Sequence, residues 1–316
     1  MSLFNLFLKS VNHLLGRLTS EQSVFKSSEG EALYRSAYDA ALQLWSAPHE
    51  SIFVPTRFGR THVIASGIAQ GKPIVFLHGV LAGGTMWFPQ ANVLSEEYRI
   101  YAVDVLGDVN LSVPTTLPKT RVETAEWLTA VFDGLGIKQA TVVGISLGGF
   151  LAINLALYAP QRVSRFVILD PAASLAPYSL SFMLRTIPNA FAAIFSDHPM
   201  DSIVKWAAAN GKIVEQATPI MRQMDIALKH GRMRLKTLPT VFRDDELRRL
   251  QTPMLLLLGE RSVIYDPQAA VNRAKRLIKG VRAEFIPESG HLLTFEQPEL
   301  VTNRIREFLI DRESSE

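Results

Sequence analysis

Ile74-Val75-Phe76-Leu77 and Met254 to Leu258 are apolar at every position. A strand with one wet face alternates, so an unbroken run needs both faces covered, as in a mostly parallel sheet. These runs lie within residues 73–78 and 253–259, and similar short runs occupy 99–105, 140–144, 165–170 and 283–287. Two further strands, 52–56 and 62–66, are expected around the Phe58-Gly59 turn. Helical periodicity fills the intervals at about 29–45, 120–135, 147–158, 267–278 and 297–309. Eight strands alternating with helices predict an α/β chain with a doubly wound, mostly parallel sheet. The alternation breaks once. From 174 to 247 no buried strand is expected, only helical segments rich in Phe, Met and Ile, which reads as an inserted helical cap. The expected core is then 29–173 with 248–316.

Residues 1–28 stand apart as an N-terminal helix and linker. Leu3, Phe4, Phe7, Leu8, Val11 and Leu14 follow helical spacing opposite a polar face, so an amphipathic helix is expected over residues 1–18. No A-x-A site follows and polar residues interrupt each apolar stretch, which argues against a signal peptide. Three roles suit this helix: packing on its own domain, a dimer contact, or a peripheral position at a membrane interface. Lys and Arg total 33 against 30 acids, an excess too small to argue for nucleic acid. The absence of cysteine excludes thiolate nucleophiles, iron–sulfur clusters and Cys-based zinc sites, and it fits a cytoplasmic location. No metal or organic cofactor is expected, since no H-E-x-x-H, Walker loop or dinucleotide glycine fingerprint is present.

The segment Val142-Val143-Gly144-Ile145-Ser146-Leu147-Gly148-Gly149 places G-x-S-x-G where a buried strand meets a helix. Such a corner crowds the positions two residues either side of the serine, and glycine relieves that crowding. Ser146 is therefore the expected nucleophile. Phe76-Leu77-His78-Gly79-Val80 ends another strand. An acyl-transfer oxyanion needs rigid donors, and the Leu147 and Val80 amides are the expected pair. His78 is read as a structural residue of this loop. Of the seven histidines, only His291 follows both the nucleophile and the last strand, so it is the expected base.

Together these segments resemble the α/β-hydrolase superfamily, in particular its bacterial carboxylesterase-like members, over about residues 34–309. The resemblance implies the α/β-hydrolase fold and hydrolysis of a small-molecule carboxylic ester through an acyl-enzyme. Serine at the elbow argues against the haloalkane dehalogenase and epoxide hydrolase branches, which need a carboxylate there. The resemblance also implies a structural turn at Asp104-Val105-Leu106-Gly107 and an orienting carboxylate three residues after Gly259. That position holds Ser262.

Three carboxylates compete to replace it. Asp170, in Leu169-Asp170-Pro171, ends a strand at the sheet edge where catalytic groups gather. Asp266 precedes Pro267 and reads as a helix cap. Glu260 abuts the strand one residue past the glycine. Asp170 is the favoured member of a Ser146–His291–Asp170 triad, with Asp266 and Glu260 as alternatives. Phe182, Met183, Phe191, Trp206, Met221 and Met224 are candidates for an apolar pocket under the cap, suiting short to medium acyl chains. Other uses of the same triad are C–C or lactone hydrolysis and perhydrolysis. A catalytically impaired binding protein is the reading that Ser262 encourages.

Overall fold

The structure is a computed structural model that describes residues 23–185, 196, 198–209, 211, 213 and 215–310. The expected N-terminal amphipathic helix lies outside the described residues, as does Phe191 of the expected cap lining.

Nine strands form one sheet: β1 (His49–Thr56), β2 (Gly59–Gly67), β3 (Pro73–Leu77), β4 (Arg99–Val103), β5 (Val113–Pro114), β6 (Ala140–Ile145), β7 (Val163–Leu169), β8 (Met254–Gly259) and β9 (Arg282–Ile286). The order is β1-β2-β4-β3-β6-β7-β8-β9, with β5 paired to β2. β2 runs antiparallel to β1, β4 and β5, and every other pairing is parallel. The ninth strand, β5, was not expected. It is two residues long and ends in proline, so it carries no periodicity to detect.

The helices are α1 (Ser28–Leu42), α2 (Phe88–Leu94), α3 (Arg121–Gly134), α4 (Leu147–Tyr158), α5 (Pro199–Ala207), α6 (Thr218–His230), α7 (Asp244–Arg248), α8 (Pro267–Leu277), α9 (Leu293–Glu296) and α10 (Pro298–Ile310). α1 stops three residues short of the expected end; Leu44 and Trp45 continue as a turn, their amides donating to Ala41 and Leu42 carbonyls.

The unbroken apolar runs divide between two cores with the period of a strand. Val75, Leu77, Met254, Leu256 and Leu258 join α3, α4 and α8 on one face. Ile74, Phe76, Leu255 and Leu257 join α1, α2, α6 and α10 on the other. Both faces of the central strands are therefore dry, and polarity is confined to the strand ends. At the C-terminal ends of β3, β6, β7, β8 and β9 the chain enters the segments bearing His78, Ser146, Asp170, Ser262 and His291.

Among the described residues, the chain between β7 and β8 is helical wherever it is regular: 180–185, α5, α6 and α7. α6 lies on α1 through Gln223, which is fully buried and donates to the Tyr34 hydroxyl at 2.9 Å. Asp225 of α6 accepts the Met200 amide in the first turn of α5 at 2.8 Å, joining the two helices. No helix among the described residues is long and apolar enough to cross a membrane.

Candidate active site

Ser146 sits between β6 and α4 with φ 53° and ψ −115°, a conformation that costs a non-glycine residue about 1–3 kcal/mol. The surrounding chain enforces it. The Ser146 amide donates to Leu169 O at 3.0 Å, and its carbonyl accepts the Phe150 and Ala172 amides at 3.1 and 3.0 Å. The two flanking glycines are required by close approach: a Cβ on Gly144 would lie 2.2 Å from Gly148 O, and one on Gly148 only 1.9 Å from Leu77 O. The serine itself is half-buried at the head of α4.

The loop after β3 passes directly beside it, since a Cβ on Gly79 would be 3.6 Å from Ser146 Cβ. Among the described residues no acceptor engages the Val80 or Leu147 amide. Leu147 N–H lies at the positive end of the α4 dipole. His78 is fully committed to the backbone: Nδ1 lies 2.7 Å from Gly79 O, and Nε2 accepts the Val105 amide at 2.8 Å. That pairing places the proton on Nδ1 and leaves His78 no role as a base.

Behind this loop lies a buried polar cluster. Asp104 accepts the Gly84 amide at 2.7 Å and faces His62 Nδ1 at 2.9 Å, while His62 Nε2 lies 3.1 Å from the Ser51 hydroxyl. Burial by itself raises the Asp104 pKa, but the His62 hydrogen bond and charge and the Gly84 amide outweigh it and hold the carboxyl below the usual range. Asp108, also buried, accepts the Leu81 and Val109 amides, yet burial dominates and its pKa is raised.

The sign for Asp104 follows from its depressed pKa. It contributes stability above the unfolded carboxyl value, about pH 4, and loses it as pH falls through the lower folded value. Asp108 contributes with the opposite sign. Comparing Asp104→Asn with the parent protein therefore isolates Asp104. The variant is expected to be about 2–4 kcal/mol less stable at pH 7, with the difference shrinking below about pH 4. Urea unfolding at pH 7 and pH 3.5 measures it, and a constant difference would refute the assignment.

His291 lies on the loop after β9. Its amide donates to Ala207 O at the end of α5 at 2.9 Å, and Nδ1 lies 3.4 Å from Asp170 Oδ2. Asp170 is fully buried, whereas the His291 side chain keeps 17% exposure. The contact is within ion-pair range but longer than a formed N–H···O bond. Asp170 has φ 39°, and its amide donates to Leu257 O at 3.0 Å, so backbone bonds anchor the turn that carries it.

The other two carboxylates point elsewhere. Asp266 is exposed and caps α8 by accepting the Ala269 amide at 3.0 Å. Glu260 is exposed and accepts the Glu288 amide at 3.2 Å. Of the three, Asp170 alone lies within ion-pair distance of His291 among the described residues. Ser262 is buried, with its hydroxyl unpartnered.

Three residues near the site were not singled out from sequence. Tyr265 is buried with its hydroxyl toward Asp170; burial, then the Asp170 charge, push its pKa well above 10. Gln223 donates to Ala82 O at 2.9 Å and accepts the Thr85 hydroxyl at 2.8 Å, tying α6 to the loop after β3. Its one available signal was an amide within the apolar face of α6. Glu296 is the third, bonded to both the His291 loop and the segment after α5. Of the expected cap lining, Phe182 packs against Tyr178 and Trp206, with ring centroids at 4.8 and 5.5 Å. Met221 and Met224 pack into the core shared by α1 and α6.

The chain matches the model of the alpha/beta hydrolase family over residues 74–304. It is similar to the carboxylesterase YbfK of Bacillus subtilis, 37% identical over 292 residues that cover 90% of this chain and 96% of that protein. A second relative from the same organism, the uncharacterized carboxylesterase nap, is 36% identical over 290 residues, covering 90% and 95%. Among solved structures, naproxen esterase from Bacillus subtilis superimposes with a TM-score of 0.83 at 36% identity, over 90% of this chain and 99% of that one. A strained serine between β6 and α4, the two loops beside it and this extent of similarity make the chain a member of the alpha/beta hydrolase family.

Proposed function

We propose that the protein is a serine hydrolase of carboxylic esters, acting through an acyl-enzyme on Ser146. The observation that carries the reading is the elbow itself: a half-buried serine held at positive φ at the head of α4, with the loop after β3 passing beside it. Similarity to a carboxylesterase at 37% identity supports the same chemistry.

In the proposed mechanism His291 Nε2 takes the proton from Ser146 Oγ as that oxygen attacks the ester carbonyl. The two amides hold the resulting oxyanion. Asp170, toward Nδ1, stabilises the imidazolium, which then protonates the departing alcohol. Water, activated by the same imidazole, releases the acid and restores the serine. The aromatic group of Tyr178, Phe182 and Trp206 supports an apolar acyl site under helices 180–185 and α5, suited to short and medium chains.

Residues 174–247 act in this reading as the cap. The N-terminal residues 1–18 would pack on their own domain or serve as a dimer or peripheral membrane contact, and the cysteine-free chain suits a reducing compartment such as the cytoplasm.

Treatment with a fluorophosphonate followed by peptide mass spectrometry tests the nucleophile, and a panel of p-nitrophenyl esters from acetate to palmitate tests the substrate class. The expected result is one adduct on Ser146, with turnover greatest for the shorter acyl chains. An unlabelled Ser146 would overturn the reading and favour a binding protein, the alternative supported by Ser262 and by the open Asp170–His291 contact.

A further inference from the structure

We propose that Glu296 is a positioning residue that locks the end of α5 to the loop carrying His291, so that the base is aligned only while α5 is seated. This rests on the serine-hydrolase reading of Ser146 and His291. Glu296 is the last residue of the one-turn helix α9, and it is half-buried. Its Oε1 accepts the Ala209 amide at 2.6 Å, and its Oε2 accepts the Gly290 amide at 2.8 Å. One carboxylate thus serves two segments, the first 87 positions away in the chain and the second adjoining His291.

A return contact completes the lock. The His291 amide donates to Ala207 O at 2.9 Å, opposite in sense to the bond that Glu296 makes with Ala209. Gly290 is pressed so closely against α5 that a Cβ there would lie 2.2 Å from Ala207 O. Neither segment can move by an ångström without breaking a bond made by the other. Burial raises the Glu296 pKa, whereas the Ala209, Gly290 and Leu292 amides and the His291 charge oppose it. A carboxylate kept half-buried by donors from two segments is costly unless both are in place, which is what couples them.

The isosteric change Glu296→Gln leaves one acceptor oxygen where two are needed, so it can hold one segment but not both. Exposed Glu299, three residues on, provides the control Glu299→Gln. With the full chain and p-nitrophenyl butyrate, Glu296→Gln is expected to lower kcat about 10- to 100-fold, the scale of an ångström-size misplacement, with KM changed less than about two-fold. Backbone hydrogen exchange should accelerate together in residues 205–209 and 288–292, while Glu299→Gln changes neither. Acceleration in one segment alone, or in neither, would refute the coupling. A lower melting temperature with kcat unchanged would make Glu296 merely structural and overturn the proposal. Exchange reads the lock even in a protein that hydrolyses nothing. An inactive parent protein would therefore count against the hydrolase reading, and the exchange data would still decide the lock.

Discussion

Ser146→Ala is expected to lower kcat for p-nitrophenyl butyrate by about six orders of magnitude, the scale seen when a triad nucleophile is deleted. The substitution removes the attacking oxygen and nothing else of consequence. The bonds that hold the turn come from the Ser146 amide and carbonyl, not from its hydroxyl. Alanine meets the same positive φ that serine already tolerates, so unfolding free energy should change by no more than about 0.5 kcal/mol. The Val80 and Leu147 amides remain, and binding plus an oxyanion site can still give about 10³-fold over water. Stopped-flow or long-time ester assays on protein of verified fold measure the loss. Retention of more than about one part in a hundred of kcat would place the nucleophile elsewhere.

What the sequence made legible followed from constraints confined to a few neighbouring residues. Ile74 to Leu77 and Met254 to Leu258 reported a two-faced sheet because each position must be dry whichever way it points. Gly144 and Gly148 marked the elbow because no other residue fits against Gly148 O and Leu77 O. Asp266 announced its cap through the adjacent Pro267. Residues whose partners are distant backbone groups gave no such sign. Glu296 bonds Ala209 and Gly290, Gln223 bonds Ala82, and neither arrangement leaves a periodicity or a motif. Tyr265 was hidden for a related reason: its direction depends on the path between β8 and α8, where the Ser179 amide donates to Ile264 O at 2.8 Å and its hydroxyl to Val263 O at 2.9 Å. That pinned segment turns Tyr265 inward and Asp266 outward.

Asp170→Asn should lower kcat by about three to four orders of magnitude while leaving the fold intact. Both Asp170 oxygens are buried, with the Tyr265 hydroxyl toward them but no formed hydrogen bond among the described residues. A buried carboxylate in that state costs several kcal/mol, and the one cation that forms within reach is the His291 imidazolium of the proposed reaction. The carboxylate is thus best satisfied in the charge-separated step, where its effect on rate is largest. Asparagine also suits the backbone, since it tolerates the φ of 39°. Its amide, however, can present N–H to Nδ1 and favour the tautomer that cannot accept the serine proton at Nε2. Asp266→Ala is the contrasting variant: it should cost about 1 kcal/mol of stability through the lost cap and leave kcat unchanged. The decisive combination is Ser262→Asp on the Asp170→Asn background. Ser262 is buried with a free hydroxyl, at the position where the family resemblance places an acid. Recovery of at least about ten-fold in kcat would show that the two strand ends are interchangeable sources of one carboxylate. An Asp170→Asn protein as active as the parent would instead mean that His291 works without an acid from β7.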